Sequence, residues 1–514
     1  MTIINIATDF GTKINTADGR IKNFMKMNRK EAIKRSAILM GGYAFIPATL
    51  GALQGCTPAT SGIDKNLLPE DLVIINNVSD LRTKKGKPGE SAILSGYYKA
   101  NDGGGTEVYW DNESTEDDDN GMIFKVDGIT SGRWKRSDDG HINVKWFGAR
   151  GDGVLRTETV DQINDCINWV SNNIYYGTLG TTPRKVYIPE GTYILEKALL
   201  QLENHKHNGI EIFGDGPELT ELKFRDDQSG NSGNELRMLR WKTEQITGIK
   251  DVHIHDIKFN GNWRNTAGEG EGGLFILYKR SFQETSQNVL VENCYFTGSG
   301  GNGCAIRSDN TTIKNCKSWD NKGHGFSTGN TPDGVNILDC EAWECAKEKD
   351  GTGRGFYGLD FSNGSNLYAE NIDIWDCGNG FKTSARIAGP THLKNVTIKN
   401  SVDVSIRQTG AEEDAVPGNS LKLENVHTEN SSGSWGWRFT DVDLEIINCT
   451  LTDEPGDDDW YGAIYFTDRV RDLTIDGLDI TRNSGTGSYA IRNDATGTVS
   501  ISRVTTSGYD KTFS

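Results

Sequence analysis

From about residue 140 onward, short apolar runs alternate with polar turn residues along the chain. Within each run, apolar and polar residues alternate with the period of two that indicates a β-strand with one buried face. One pattern, an apolar residue, a variable residue, Asn or Asp and a second apolar residue, recurs every 22 to 30 residues. A repeat of that length is one turn of a solenoid. We therefore predict an all-β fold, a right-handed single-stranded parallel β-helix. The copies are Val291–Cys294, Ile313–Cys316, Ile337–Cys340, Leu393–Val396, Leu423–Val426 and Ile446–Cys449.

The last two positions of this repeat predict two stacked columns. Cysteine or valine at the final position is expected to pack inside the solenoid. Asparagine before it is expected to hydrogen-bond to its copies in neighbouring turns, as side-chain ladders do in other stacked sheets. The nine cysteines are an odd number without a C-x-x-C pair, so they indicate neither a zinc motif nor a disulfide framework. Most cysteines are therefore predicted to be core residues.

A second strand follows each repeat, and glycines mark its register. Side chains alternate along a strand, so an interior column and an outward column should stand side by side. The predicted interior column is Phe326, Leu359, Phe381, Ile406 and Trp437. The predicted outward column is Ser327, Asp360, Lys382, Arg407 and Arg438. Neighbouring turns are about 4.8 Å apart. The last four outward residues, named here the charged row, should thus form one line on one face.

The N-terminal region shows the order of an export signal. The basic segment Met27–Arg35 precedes an apolar, small-residue run, Ala37–Leu53, and Cys56 follows shortly after it. This order resembles a bacterial lipoprotein signal with its lipobox, which implies lipidation of Cys56. We predict that residues 1–56 are a mis-called start plus this signal and that residues 57–70 are a linker. The protein would then be exported, and either lipid-anchored to the cell envelope or secreted. The alternative is a buried helix of a folded domain.

The remaining chain divides at about residue 140. Glycine clusters punctuate short β runs in residues 71–140, which predicts a small β-rich N-terminal module. Residues 141–514 are assigned to the β-helix catalytic domain. Its opening, Val144–Gly153, then a helical stretch from Thr159 to about Asn172, then Val186–Tyr193, resembles the pectate-lyase-like and tailspike β-helix superfamily of polysaccharide-degrading enzymes. The resemblance implies that the helix caps the first turn and that the Pro-Gly segment begins the solenoid.

Composition and charge narrow the partners. With 61 Gly and 35% hydrophobic residues, the chain suits many short strands better than long amphipathic helices. A net charge of −17 argues against nucleic acid and against direct binding to anionic membranes. An anionic polysaccharide remains possible where cations gather, as in the charged row. We expect such a substrate, membrane contact only through the lipid anchor, and a monomer or trimer.

The charged row suggests an elimination reaction. Three cations in consecutive turns repel one another, so their stacking calls for an anionic ligand. Neighbouring cations would favour neutral Lys382, the form a general base requires. Lys382 could then remove the proton beside a uronate carboxylate that Arg407 or Arg438 neutralises. Asp360 would orient Lys382 or hold a Ca²⁺ ion. In the alternative interpretation the row is a solvated surface on which Asp360 simply pairs with Lys382.

Local resemblances point to the same class of reaction. Gly378–Lys382 resembles the lysine-bearing turn of some calcium-dependent pectate lyases, which implies a possible Ca²⁺ cofactor. A lysine and an arginine on neighbouring turns, as in Lys382 and Arg407, resemble alginate and chondroitin lyases of this fold. His324 precedes the row by one turn and is a further catalytic candidate. Arg386, Trp435 and Arg438 are predicted substrate contacts.

A glycoside hydrolase is the main alternative. Gly323–Gly329 resembles the Gly-His-Gly turn of polygalacturonases, but the preceding turn, Gly301–Ala305, lacks their paired aspartates. Hydrolysis needs two carboxyl groups. Asp360 could form such a pair with a loop carboxylate and act on a sulfated polysaccharide such as a fucan or carrageenan. The loop candidates are Glu348, Asp350, Glu412 and Glu413.

Two further hypotheses remain open. The same row could bind a glycan without cleaving it, which would make the chain a non-catalytic glycan-binding lipoprotein. Separately, His253 and His255 alternate along one predicted strand and therefore share a face, which is an arrangement that could hold a metal ion.

Overall fold

The computed structural model describes residues 73–513, apart from residues 139, 175–183, 204–205, 227–237, 242–248, 266–274, 278–286, 330, 347–354, 410–415, 434, 456–461 and 484–486. The predicted signal with Cys56, the linker and the four loop carboxylates lie outside the described residues. No helix in the described part of the chain has the length and apolarity needed to cross a membrane.

The N-terminal module is a five-stranded sheet with its own core. The strands pair in the order β1-β2-β3-β5-β4. Trp110 and Trp134 pack edge to face in that core, with ring centroids 5.4 Å apart, and helix α1 places Val78 and Leu81 beside them. The elements are β1 Val73–Ile75, α1 Val78–Thr83, β2 Ser91–Leu94, β3 Thr106–Asp111, β4 Ile123–Lys125 and β5 Arg133–Arg136.

A capping helix begins the solenoid, as the sequence predicts. Helix α2 runs over Glu158–Asn173 and buries an apolar face, including Val160, Ile163 and Ile167, in the same core as the first strands. The sulfur of Cys166 contacts the carbonyl oxygen of Ile142 at 3.6 Å, which fixes the helix against the first turn. The entry strands are β6 Ile142–Asn143, β7 Arg184–Tyr187 and β8 Gly191–Leu195, with a 3-10 helix at Val144–Phe147.

The main body is a parallel β-solenoid, which confirms the predicted fold class. It consists of an 18-stranded sheet and a 12-stranded sheet, each built by pairing a strand with its copy one turn away. The strands before the charged row are β9 Gln201–Leu202, β10 Ile210–Phe213, β11 Thr220–Phe224, β12 Leu239–Trp241, β13 Lys250–His255, β14 Lys258–Asn260, β15 Phe275–Leu277, β16 Gln287–Glu292, β17 Tyr295–Thr297, β18 Cys304–Ile306, β19 Asp309–Lys314 and β20 Lys317–Trp319, with a 3-10 helix at Trp263–Asn265.

The remaining strands carry the row and complete the solenoid. They are β21 Phe326–Thr328, β22 Asp333–Trp343, β23 Leu359–Phe361, β24 Ser365–Trp375, β25 Phe381–Ser384, β26 Pro390–Lys399, β27 Ile406–Thr409, β28 Ser420–Glu429, β29 Trp437–Phe439, β30 Asp443–Thr452, β31 Ile464–Phe466, β32 Leu473–Thr481, β33 Gly487–Asn493, β34 Val499–Ser507 and β35 Tyr509–Phe513.

The asparagine column is a corner of the solenoid. Asn371, Asn395 and Asn425 have φ between 53° and 57°, the left-handed region that Asn tolerates better than most residues. Each donates its side-chain N–H to the residue one turn before it, at 2.8 Å to Asp339, 3.1 Å to Asn371 and 3.1 Å to Asn395. The predicted ladder is therefore present. It also includes the turn at Ala369–Ile372, which the sequence alignment missed.

The interior columns follow the predicted register. Phe326, Leu359, Phe381, Ile406 and Trp437 pair in sequence across neighbouring strands and are fully buried. The eight described cysteines are buried and free, which agrees with a packing role and with the absence of disulfides among them. Trp263 is also buried, and its indole N–H donates to the Asp320 carbonyl oxygen at 2.7 Å.

Candidate active site

The charged row exists as the sequence predicts. The 12-stranded sheet pairs Ser327 with Asp360, Asp360 with Lys382, Lys382 with Arg407 and Arg407 with Arg438. The same column continues through Tyr465 to Arg492. Because each interior neighbour is fully buried, the alternation of the strands directs the row outward. The sheet thus places one carboxylate and three cations on consecutive turns.

Asp360 is the most enclosed member of the row. Only 4% of it is exposed. The hydroxyl of Ser362, two residues later and on the same face of the strand, donates to its two carboxylate oxygens at 2.6 and 2.7 Å. Lys382 Nζ lies 3.7 Å from one oxygen and donates to Ser362 Oγ at 3.2 Å. A continuous path therefore runs from the Lys382 ammonium through the Ser362 hydroxyl to the carboxylate.

His324 approaches the same carboxylate from the preceding turn. Its Nε2 lies 3.4 Å from Asp360 Oδ2, and its Nδ1 accepts the backbone N–H of Tyr357 at 2.9 Å. Because Nδ1 is an acceptor, the neutral ring carries its proton on Nε2 and directs it at Asp360. Burial lowers the pKa of His324 below its ordinary 6.5, against the opposite effect of Asp360. His324 is therefore neutral at neutral pH.

Tyr357 is a site residue that the sequence reasoning missed. Its ring stacks on His324 with centroids 6.0 Å apart, and Lys382 Nζ lies 5.8 Å from its centroid. Burial raises the pKa of Tyr357 to about 12, although nearby Arg407 acts in the opposite direction. The phenol thus keeps its proton at neutral pH. Its position before Gly358 was visible in the sequence, but its contact with the row depends on how the chain enters β23.

The two arginines of the row have no ion-pair partner among the described residues. No carboxylate oxygen of the described residues lies within the 4.0 Å range of an ion pair with Arg407 or Arg438, whereas Arg492, further along the column, pairs with Asp494 at 3.0 Å. The Arg438 guanidinium instead lies over the rings of Trp435 and Tyr465, at 5.2 and 5.9 Å. Such stacking holds a guanidinium in place while it remains charged. The row therefore carries an excess of positive charge on an acidic protein.

The other predicted contacts are less central. Arg386 lies in the exposed turn after β25 rather than in the outward column. Trp435 is half-buried just before β29 and supports Arg438. Glu348 and Asp350 lie outside the described residues.

Calcium is a poor fit to Asp360 and its described neighbours. Ca²⁺ takes about six to eight oxygen ligands. The groups around the Asp360 carboxylate are instead the Lys382 ammonium, the His324 ring and the Ser362 hydroxyl. An ammonium within 4 Å opposes a second cation at the same oxygens.

Family models match three consecutive parts of the chain. The phage tail protein small four-stranded β-sheet domain matches residues 74–139. Rhamnogalacturonase A/epimerase, pectate lyase-like, matches residues 141–238, and the right handed β-helix region matches residues 240–385. These matches confirm the resemblance to the pectate-lyase-like β-helix superfamily. No curated protein matches the sequence.

Solved structures share the fold at low sequence identity. The gp42 tailspike of Acinetobacter phage vb_AbaP_AS12 has a TM-score of 0.53 at 8% identity, over 86% of this chain and 74% of its own. The tailspike gp49 of Acinetobacter baumannii bacteriophage Fri1, a capsular polysaccharide depolymerase, has a TM-score of 0.49 at 14% identity, over 85% and 70%. The A-module of mannuronan C-5 epimerase AlgE4 of Azotobacter vinelandii has a TM-score of 0.46 at 17% identity, over 72% and 97%. The likeness to the gp42 tailspike, whose TM-score is above 0.5, shows that the chain shares its β-helix fold.

Proposed function

We propose that this chain cleaves an anionic polysaccharide, a uronic-acid polymer in the first instance, by β-elimination. The observation that carries the proposal is the juxtaposition of Arg407 and Arg438, which have no carboxylate partner among the described residues, with the Lys382–Ser362–Asp360 path in the same outward column. The pectate-lyase-like match of residues 141–238 supports the substrate class.

Substrate binding is assigned to the two arginines. Neighbouring strands of a sheet are about 4.8 Å apart, so Arg407 and Arg438 present two guanidiniums in line along the solenoid axis. Guanidinium and carboxylate groups form paired, charge-assisted hydrogen bonds. A uronate carboxylate held by Arg407 loses much of its negative charge. That loss makes the carbon-bound proton beside the carboxylate easier to remove.

Lys382 is the proposed base, and its proton has a route out. The ammonium donates to Ser362 Oγ, and the Ser362 hydroxyl donates to Asp360. When the substrate binds, one proton moves along this path to the enclosed carboxylate and leaves a neutral amine. The amine then removes the substrate proton. The C–H electron pair becomes the new double bond, and the glycosidic C–O bond breaks.

The departing oxygen needs a proton, and Tyr357 is the proposed donor. Its phenol is protonated at neutral pH and is near Arg407, which stabilises the phenolate that forms. The proton that Lys382 acquired returns to Tyr357 through solvent after product release, and Asp360 returns its own to Lys382. His324 acts as a positioning residue, because its Nε2–H is directed at Asp360 and its Nδ1 is held by the backbone.

The test is a substrate panel with two simultaneous readouts. Polygalacturonate, alginate, a glycosaminoglycan, a sulfated fucan and a carrageenan are incubated with the protein, and both unsaturated uronate absorbance and reducing ends are followed. Unsaturated products support the proposal. Reducing ends without unsaturation mean hydrolysis and overturn it. Retention on a polymer without cleavage means a binding protein and also overturns it.

Variants of the path test the mechanism itself. Lys382→Arg keeps the positive charge, so substrate binding should survive. The guanidinium of arginine does not lose its proton in proteins and cannot act as a base, so elimination should disappear. Ser362→Ala should lower kcat and shift the pH profile, because the proton route is interrupted. Full elimination activity in Lys382→Arg would exclude Lys382 as the base.

We also propose that the protein is exported with a lipid on Cys56. Metabolic labelling with a radioactive fatty acid tests this directly in the full-length chain. Label should appear in the wild type and be absent from Cys56→Ser. Equal labelling of the two proteins would contradict the assignment.

A further inference from the structure

A second cluster of histidines and carboxylates lies on the 18-stranded sheet, away from the charged row. Neighbouring strands β10, β13 and β16 pair Glu211 with His253 and His255 with Glu292. His253 and His255 are two residues apart on β13 and therefore share its outward face. The predicted face-sharing of the two histidines is thus present. The structure adds carboxylates on both neighbouring turns.

The ligand atoms of this cluster are close enough for a metal ion to bring them together. One ligand atom each from Glu211, His253 and His255 lies within 4.8 Å of the other two. His255 Nε2 is 3.3 Å from Glu211 Oε1. Zinc bonds of about 2.0–2.1 Å at tetrahedral angles place two ligand atoms roughly 3.3 Å apart. This pair therefore already has the separation of a zinc tetrahedron's edge.

The surroundings of His255 call for a cation. Its Nδ1 lies 2.6 Å from Asp256 Oδ2, while its Nε2 faces Glu211. A neutral imidazole has a single N–H, so it satisfies only one of these two carboxylates. The second contact requires either a second proton on the ring or a metal ion between Nε2 and Glu211. A carboxylate behind the non-ligating nitrogen is the usual support of a zinc-bound histidine.

His253 supplies an independent sign of the same site. Its Nε2 is buried and has no hydrogen-bond partner among the described residues. Its nearest opposite charge is Glu292 Oε2, at 3.9 Å. Its ring stacks on His255 with centroids 4.2 Å apart, so one ring must turn before nitrogens of both can bind the same ion. A buried ring nitrogen without a partner costs free energy that a metal bond would recover.

We propose that Glu211, His253 and His255 bind one Zn²⁺ ion, with Asp256 orienting His255. The ion would tie together strands β10 and β13 and strengthen the part of the solenoid near its capped end. One present contact opposes it: Lys185 Nζ lies 2.9 Å from Glu211 Oε1. Zinc must displace this ammonium or bind the other carboxylate oxygen.

Zinc titration of the purified full-length protein tests the site. The protein is first stripped with a chelator, and binding is measured by calorimetry and by competition with a chromogenic chelator. We expect one zinc per chain and a rise in the melting temperature on zinc addition. His253→Gln and His255→Gln should each abolish the stoichiometric binding. Asp256→Asn should weaken it roughly 10- to 100-fold, since an orienting partner is removed.

Two matched variants make the result specific. His392 lies further along the outward column of Glu211 and His253, and its Nε2 is 3.2 Å from Glu424, so His392→Gln removes a similar pair without touching the site. It should leave zinc binding unchanged. Lys185→Gln should tighten binding, because it removes the competing ammonium.

Three outcomes would overturn the proposal: no stoichiometric zinc binding, binding that survives in both site variants, or equal loss in His392→Gln. Because the site is remote from the row, polymer cleavage tests the proposed function separately, and either proposal can fail alone.

Discussion

Two of the described clusters in which a lysine and a histidine meet a carboxylate differ in the surroundings of the histidine. In the charged row, Lys382 and His324 lie 3.7 and 3.4 Å from Asp360. On the 18-stranded sheet, Lys185 and His255 lie 2.9 and 3.3 Å from Glu211. The two clusters differ in the partner of the histidine's second ring nitrogen. In His324 it accepts a backbone N–H, whereas in His255 it faces a second carboxylate.

This difference decides what each cluster can bind. Each ring nitrogen of His324 has one partner, a backbone N–H at Nδ1 and Asp360 at Nε2. Its cluster can therefore pass a proton between Lys382 and Asp360. A neutral His255 has one N–H for two facing carboxylates, so a metal ion between its Nε2 and Glu211 would satisfy the second contact. We therefore propose that the same residue types form a proton path in one place and a metal site in the other. The partner of one ring nitrogen in each histidine accounts for this difference between the clusters.

Replacing the lysine of each cluster with alanine should give the largest difference between the two clusters. Lys382→Ala should reduce cleavage by about 10³-fold or more, since a positioned base is lost. Lys185→Ala should leave cleavage unchanged and tighten zinc binding. Initial rates on the best polymer of the panel and zinc titration check the pair. Equal activity losses in the two variants would show that the clusters are not functionally distinct.

Replacing His324 should change the pH dependence of kcat, whereas replacing His255 should not. Burial lowers the pKa of His324 below 6.5, so its neutral form persists as the pH falls below that value. We expect the acidic limb of kcat to lie below pH 6.5 and to change shape in His324→Gln, with about a 10²-fold loss at pH 7. His255→Gln should retain the wild-type profile. A profile of kcat against pH for each variant is the measurement.

The lowered pKa of His324 also makes the free energy of unfolding depend on pH. The unfolded chain takes up a proton at the ordinary 6.5, whereas folded His324 does so only at lower pH. Its contribution to the free energy of unfolding is therefore complete above pH 6.5 and declines as the pH falls from there toward the folded pKa. Denaturant unfolding of wild type and His324→Gln at pH 7.5 and pH 5 checks this. The variant should lose less stability between the two.

Removing Arg407 should have a smaller effect, mainly on binding, with a modest decrease in kcat because the substrate carboxylate keeps more of its charge. Arg407→Gln should raise KM by about tenfold, because one charge-assisted contact is lost, and should reduce the salt dependence of KM. Arg492→Gln is the matched control in the same column, because Arg492 is already paired with Asp494. A change only in kcat would place Arg407 in the chemical step rather than in binding.

The smallest effect is expected from a substitution in the asparagine ladder of the solenoid, which carries both clusters. Asn395 has φ 53° and bonds to Asn371 and Asn425. Asn395→Ala should cost about 1–2 kcal/mol, because alanine disfavours this backbone region and the ladder bonds are lost. Asn395→Gly, which relieves the backbone but not the bonds, should cost less. Chemical denaturation of the three proteins gives the order.

Most of the fold and about half of the candidate site were predictable. The period of two fixed which face of β23, β25, β27 and β29 is buried, so the register from Asp360 to Arg438 followed from sequence. Ser362 was also within reach of that rule, since it lies two residues after Asp360. Tyr357 was not, because no periodicity describes the turn before β23.

The sequence alone determined the solenoid, its outward columns and the stacking of one carboxylate with three cations. These follow from local rules: strands alternate, and equivalent positions of a repeat lie one turn apart. The tertiary structure decided which groups touch. It placed Ser362 between Lys382 and Asp360, directed the Tyr357 amide at His324, and set carboxylates on both sides of His255. Such contacts depend on side-chain direction and burial, which a repeat in the sequence does not encode.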